Sequence, residues 1–353
     1  MLTHESLERI LNKIPHLTLG IIGDLFLDRY LDIDAALTEP SIETGLDAYQ
    51  VVRVRSYPGA AGTVINNLAA LGVASIQTIS VIGDDGEGYE LRRALADLPG
   101  VDSRRIFTDP GRRTPTYTKP MLQEAGLPPR ELNRLDIKNH APISPGMEDR
   151  LLTALDEIWP QLDGLIVLDQ VDQQRGGVIT DKIISWLAAM GRSNPAKLIL
   201  ADSRERIAMF RYVWSKPNHS ECLRAVRGNQ TNAESVEECA RGLARTTSRP
   251  VFCTCGHKGM VVVDPREEAG RVVQVPGFEV NGPIDIVGAG DSASAGICCA
   301  IAGGAGLEEA AAFANLVASI TIQQIGITGT ASPDQVRQRW REVGQLKLGI
   351  PLG

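Results

Sequence analysis

The segment Asp285-Ile286-Val287-Gly288-Ala289-Gly290-Asp291 stands at the head of a run of small residues, Ser292 to Ala300, that suits a helix. Two glycines in front of a helix let backbone N–H groups converge, and the helix N-terminus adds partial positive charge. Gly288, Ala289 and Gly290 are therefore expected to build an anion site suited to the charge that develops on a transferring phosphoryl group. Asp291 falls in the first turn beside it, where a carboxylate within hydrogen-bond reach can take the proton of an attacking hydroxyl. A bare Gly-x-Gly-Asp is more commonly a tight turn with an N-cap, so the rest of the chain must decide.

The elements able to position that turn are legible in outline. Leu17 to Ile22 reads as an apolar strand closed by Gly23 and Asp24, preceded by an amphipathic helical segment within residues 1–19. Helix Gly62 to Leu71, strand Ser75 to Ile82, helix Gly88 to Leu98, strand Gly164 to Leu168, helix Val178 to Met190 and strand Lys197 to Ala201 follow. Val251 to Thr254 and Gly259 to Val263 add two strands around a turn, and Ala289 to Gly304 and Leu307 to Gln324 read as two closely packed helices of small residues. The alternation implies a three-layer α/β/α fold with a mostly parallel central sheet. Residues 32–57 and 114–136 break the rhythm with β-branched, alternating runs and are expected to form a small separate sheet acting as a lid on a single domain spanning 1–353.

Composition narrows the partners. With 353 residues and 43% hydrophobic content the chain can bury a large core, and a net charge of -7 argues against nucleic acid or an anionic membrane as partner. No apolar run has membrane-spanning length. The six cysteines show neither a disulfide framework nor zinc spacing and read as reduced, buried residues, which points to the cytoplasm. There is no Gly-x4-Gly-Lys-Ser/Thr and no Gly-x-Gly-x-x-Gly after the first strand, against a P-loop kinase and a dinucleotide enzyme.

Asp285 with Gly288 to Asp291 resembles the signature of the PfkB, or ribokinase-like, carbohydrate kinases, and the resemblance extends along nearly the whole chain. Gly23-Asp24 with Asp28 resembles that family's first-strand element, and Pro58-Gly59-Ala60-Ala61-Gly62-Thr63 leading to Asn67 resembles its Gly-rich substrate loop. Gly83-Asp84-Asp85 resembles its strand-to-helix corner, Asn218-His219-Ser220-Glu221 its N-x-x-E motif, and Thr254-Cys255-Gly256 with Gly259 its nucleotide-bordering turn. Within the family the likeness is closest to heptose-7-phosphate kinases, carried by Asp24 to Tyr30, Thr114 to Lys119, Asn133 to Asp136 and Ala314-Asn315 through Gly326. The resemblance implies ATP and magnesium, with a monovalent cation as a further candidate, and Asp291 as the base. It further implies Asp24, Asp28, Gly59, Ala60 and Thr63 on the substrate, and Asn218, Glu221, Thr254, Gly256, Gly259 and Asn315 around the nucleotide, with Glu221 on the metal side. The chain is expected to hold the kinase part only, without the nucleotidyltransferase domain of bifunctional members.

Asn218 and Glu221 also have the spacing of a helix cap and capping box, a role compatible with the other. A sugar phosphate would need a cation, for which Lys119, Arg134 and Arg204 are the candidates, although each by itself reads as a solvated surface charge. The chain departs from the family's loop at Ala60 and Thr63, where a second Gly and an Asn are usual, and Asp202-Ser203-Arg204 replaces the more usual Asp-Pro-Lys. These changes are read as lying on the sugar side. A nucleoside kinase, and a sensor that keeps the fold without catalysis, are the alternatives. A homodimer made by pairing lid strands is the expected assembly.

Overall fold

In the computed structural model the described residues are 2–171, 176–227, 235–267 and 270–347. Nine strands form one sheet in the spatial order Arg271–Val275, Met260–Asp264, Val251–Thr254, Trp214–Ser215, Leu198–Ser203, Gly164–Asp169, Thr18–Gly23, Ser75–Gly83, Val101–Asp109. Neighbours are parallel except around Met260–Asp264, which is antiparallel to both of its partners. Gly164–Asp169 and Leu198–Ser203 are buried at every residue, as parallel strands covered on both faces must be.

Two apolar clusters sandwich the sheet. Leu7, Val64, Ile297 and Phe313 anchor the one beneath helices His4–Lys13, Ala61–Ala70, Ala289–Ala302 and Leu307–Thr321. Leu151, Leu187 and Leu243 anchor the other, beneath Pro145–Ile158, Asp181–Ser193 and Val236–Thr247. This is the three-layer α/β/α architecture expected from the alternation. The two small-residue helices pack where Gly296 meets Ala314: a Cβ at 296 would lie 2.9 Å from Ala314 Cα, so a larger residue would force them apart.

A second sheet places Leu25–Asp34 between Val51–Ala60 and Thr116–Gln123, with Leu135–Ile137 beyond. It takes in residues 25–31, ahead of the 32–57 span read from the sequence. The apolar run Leu25 to Leu27 looks like more of the first strand, but the chain leaves the main sheet at Asp24, whose N–H donates to Leu168 O at 3.1 Å. Val178 to Met190 also starts late: Thr180 caps the helix through the Ile183 amide, so the helix begins at Asp181. Helix Pro145–Ile158 was not foreseen, although Ser144-Pro145 is a strong start signal and Met147, Leu151, Leu155 and Ile158 keep helical spacing.

The first strand lies between Gly164–Asp169 and Ser75–Gly83, the point at which the order of the strands reverses. Ligands of open α/β sheets bind beyond the carboxyl ends of the strands at such a point. Here those ends carry Asp24, Asp169, Asp202, Lys216 and Thr254. No helix among the described residues is long and apolar enough to cross a membrane.

Candidate active site

Helix Ala289–Ala302 begins from Gly288, whose φ of 79° lies in the left-handed region. A Cβ there would come within 2.5 Å of Thr328 Cγ2, so glycine is required twice over. Asp285 ties the turn down: its carboxylate accepts from the Val287 amide at 3.0 Å and the Gly326 amide at 3.2 Å. The anion site differs in one detail from the sequence reading. The Ala289 amide donates to Ile286 O at 3.2 Å and is spent, so the first helical amides left for a ligand are those of Gly290 and Asp291.

Asp291 is half-buried in this first turn. Burial, then the nearby Asp202 carboxylate, push its pKa up to about 7, against the pull of Lys216 and Arg204. Lys216, absent from the sequence reading, is the buried cation of the site. Its Nζ pairs with Asp202 Oδ2 at 2.9 Å and lies 3.6 Å from where a Cβ of Gly290 would be. Burial disfavours this ammonium, but Asp202, Glu221 and Asp291 outweigh it and hold the pKa above the ordinary lysine value. Ser294 Oγ donates to the same Asp202 oxygen at 3.1 Å. Asp202 therefore stands with Lys216 and Asp291, and Arg204 is near enough to favour the ionised forms of Asp291 and Glu221. The segment 202–204, read from the sequence as lying on the sugar side, is thus divided: Asp202 meets Lys216, while Ser203 donates to Asp169 beside Asp24. The strand-end position of Lys216, directly before Pro217-Asn218, was the available signal.

Asn218 and Glu221 form the capping box: the Asn218 amide donates to Glu221 Oε2 at 2.7 Å and the Glu221 amide to Asn218 Oδ1 at 2.9 Å. Thr254 bridges to Asn218 and donates its amide to Pro217 O at 2.9 Å, bringing 218, 221 and 254 together. Gly256 and Gly259 both have positive φ, and a Cβ on Gly259 would strike Val275 O at 2.2 Å. The Asn315 amide nitrogen is committed to backbone, donating to Val275 O and Pro276 O at 3.2 and 3.1 Å. It shapes the wall beside Gly259.

On the other side, Asp24 is buried, with Oδ2 accepting from the Gln170 and Val171 amides at 2.9 and 3.2 Å and Oδ1 from Val178 at 2.7 Å. Burial and the neighbouring Asp169 nevertheless push its pKa up to about 6. Gln170 links the two sides, since its side-chain Nε2 donates to Asp202 O at 3.3 Å and its Oε1 accepts from Arg204 at 2.9 Å. Asp28 sits over the substrate loop: a Cβ at Gly59 would meet Asp28 Oδ2 at 2.6 Å. Ala60 occupies φ 53°, ψ -116°, a conformation that favours glycine. Thr63 is buried with Cγ2 3.4 Å from a Cβ built on Gly288, so the loop and the Gly-Ala-Gly-Asp turn face each other.

The structure separates the expected cations. Lys119 is 3.4 Å from Asp28 Oδ1 and donates to the Tyr30 hydroxyl at 3.0 Å, so its charge is largely committed. Arg134 pairs with Asp136 at 2.7 Å and lies 4.5 Å from the centre of the Tyr117 ring. The pocket above Asp24 is instead lined by Arg112 and Lys138, together with Phe26, Tyr117 and Asn139. Neither cation was singled out from the sequence, where Arg112 is one of two adjacent arginines in a turn.

Residues 196–335, which hold Asp202, Lys216, Glu221, Thr254, Asp291 and Asn315, match the family model of pfkB family carbohydrate kinases. Over these residues the chain matches the PfkB family of carbohydrate kinases, which are phosphotransferases. It is similar to the bifunctional protein HldE of Trichlorobacter lovleyi, 27% identical over 339 residues that cover 94% of this chain and 64% of that protein. HldE of Rhodospirillum rubrum is 30% identical, covering 93% and 63%. The chain thus spans just under two thirds of these relatives. Among solved structures, Arabidopsis thaliana ribokinase complexed with ribose and ATP superposes with a TM-score of 0.66 at 16% identity, covering 92% of this chain and 98% of that one. Phosphofructokinase-2 from Escherichia coli in complex with potassium gives 0.67 at 18%, covering 93% and 99%. Both show that the chain has the ribokinase-like fold.

Proposed function

We propose that this chain transfers the γ-phosphate of ATP to a hydroxyl of a sugar phosphate, with Asp291 as general base. The observation that carries the reading is the first turn of helix Ala289–Ala302. A carboxyl poised near neutrality stands next to helix-end amides and a buried ammonium that nearly touches Gly290. Asp291 takes the proton of the acceptor hydroxyl, the oxygen attacks the γ-phosphorus, and the bond to the β-phosphate oxygen breaks to leave ADP. The Gly290 and Asp291 amides and Lys216 stabilise the charge on the transferring group.

Thr254, Gly256, Gly259 and the Asn315-braced wall would border the nucleotide. Glu221 keeps one carboxylate oxygen beyond its capping bond, adequate for a magnesium that retains waters and phosphate oxygens. Magnesium, when bound, neutralises charge on the phosphate oxygens. The acceptor would sit over Asp24 and Asp28 against Gly59 and Thr63. Arg112 and Lys138 line a small cavity of about 10 Å³ beside Asp24 and support an anionic acceptor, and the resemblance to heptose-7-phosphate kinases supports a heptose 7-phosphate. A nucleoside is disfavoured because the Tyr117 ring, which would stack a base, already packs on Phe26 and Arg134.

The second sheet would act as the lid. Its edge strand Val51–Ala60 exposes Val51, Val52 and Val54, which supports a homodimer formed along that edge. The test is ADP release with Mg-ATP across free sugars, sugar phosphates including heptose 7-phosphate, and nucleosides, with Asp291→Asn as blank. Turnover of a phosphorylated sugar above the blank supports the reading. Turnover of neutral sugars alone refutes the anionic acceptor, and silence on all acceptors refutes the kinase.

A further inference from the structure

Asp24 shares its end of the sheet with a second buried carboxylate. Asp169, 2% exposed, ends the adjacent strand and accepts from Ser203 Oγ at 2.6 Å and from Arg206 Nη2 and Nε at 2.5 and 3.1 Å. Arg206 also donates to Ile179 O at 2.7 Å, one residue beyond the Val178 amide that grips Asp24. One guanidinium thus neutralises the carboxylate beside Asp24 and fixes part of the backbone that holds it. A carboxylate offers roughly four lone-pair positions, and three on Asp24 are taken by amides, which leaves one on Oδ1 for a ligand.

We propose that Arg206 and Asp169 are positioning residues for acceptor binding, keeping Asp24 charged and its one free lone pair aimed at an acceptor hydroxyl. The inference rests on the reading of Asp24 as an acceptor ligand. Other charged groups facing Asp24 are Arg112, whose Nη2 donates to Gly176 O at 2.5 Å, and Lys138 across the pocket. The ion pair that answers the charge of Asp169 is the one with Arg206. Without Arg206, the negative charge of Asp169 would stand unanswered beside Asp24, and Asp24 would be ionised only at higher pH.

The experiment compares Arg206→Met, Arg206→Lys, Asp169→Asn and the Asp169→Asn/Arg206→Met double variant. For each, kcat/KM for heptose 7-phosphate is measured against pH at saturating ATP, together with thermal stability against pH. Arg206→Met is expected to raise the acceptor KM by about tenfold and to move the acid limb of kcat/KM up by about one pH unit, with the KM for ATP unchanged. Arg206→Lys should restore most of the limb. The double variant, again without net charge beside Asp24, should return it to the wild-type position although the hydrogen bonds are gone.

A limb that stays put in Arg206→Met, or an equal loss in all four variants with no change of pH profile, overturns the proposal and leaves the kinase reading intact. If wild type phosphorylates no acceptor, the kinase reading fails and the stability arm decides the charge coupling. A carboxyl whose folded pKa is raised is destabilising when ionised, so the deficit of Arg206→Met should be largest above pH 7 and shrink as pH falls through 6. A deficit independent of pH overturns the coupling.

Discussion

Replacing Asp291 by Asn removes a charge and keeps the shape, and the structure predicts opposite effects on rate and stability. The rate falls because Asn cannot take the hydroxyl proton: general-base loss costs about 10²–10⁴ in kcat, or about 3–5 kcal/mol of barrier. Stability rises, because Asp291 is a carboxyl whose pKa stands at about 7 instead of 3.8. Above pH 7 it is ionised in both the folded and unfolded states, and the folded state bears the cost. That difference amounts to about 4 kcal/mol before screening, and water in the cleft beside the half-buried group reduces it to roughly 1–4 kcal/mol. As pH falls from 7 toward 4 the native protein gains its proton first, so the advantage of the variant fades. Lys216 keeps Asp202 and Glu221 as counter-charges and is not orphaned. The assay pairs ADP release at pH 8 with melting curves at pH 8 and pH 5. A variant with kcat within about threefold of wild type would remove Asp291 from the base role. A variant less stable at pH 8 would show that Asp291 is a paired structural carboxylate. The same ionisation makes wild-type kcat/KM climb with pH up to about 7, with Asp24, at about 6, adding a second proton to the acid limb.

Lys216→Met should lower kcat by about 10²–10³, the effect of losing one preorganised cationic donor, and should lower the melting temperature because Asp202 is left buried and unpaired. Adding Asp202→Asn should restore stability without activity, which separates the two roles in one melting and rate comparison. Ala60→Gly relieves a conformation costing about 1–3 kcal/mol, offset in part by the freer unfolded chain, so chemical denaturation should show a gain of about 1 kcal/mol. Thr63→Asn should shift kcat/KM between acceptors while the KM for ATP stays within about twofold; equal kinetics on every acceptor would show that the loop does not read the substrate. Val54→Lys on the exposed edge strand should give a monomer in light scattering if the lid edge pairs two copies.

What could be read from the sequence was what leaves a local trace. Gly288 and Gly290 before a run of small residues announce a helix start, and the apolar strands announce a covered parallel sheet. The capping box of Asn218 and Glu221 was visible because its two bonds span three residues. Lys216, Asp202 and Gln170 left only the weak trace of a place at or just past a strand end. They meet through strand order, since Trp214–Ser215 lies beside Leu198–Ser203, which lies beside Gly164–Asp169. No spacing along the chain encodes that adjacency. The same limit applies to Asp202-Ser203-Arg204, where the replaced residues were noticed but what each one faces depends on strand pairing: Asp202 meets Lys216 and Ser203 meets Asp169.

Ala60 is where sequence and structure bear on each other most directly. The sequence marks it only as an alanine in a glycine's usual place, which reads as a change of specificity. The structure gives a different cause for the glycine: the backbone must turn through φ 53°, ψ -116° to carry the edge strand of the small sheet into helix Ala61–Ala70. The Ala61 amide is held by Asp24 O at 3.0 Å and Gly59 lies under Asp28, so the turn is fixed on both sides and the strain cannot relax by moving the loop. The substitution at 60 therefore acts on the stability of the substrate loop, whereas that at 63, whose side chain reaches the Gly288 turn, acts on what the loop contacts.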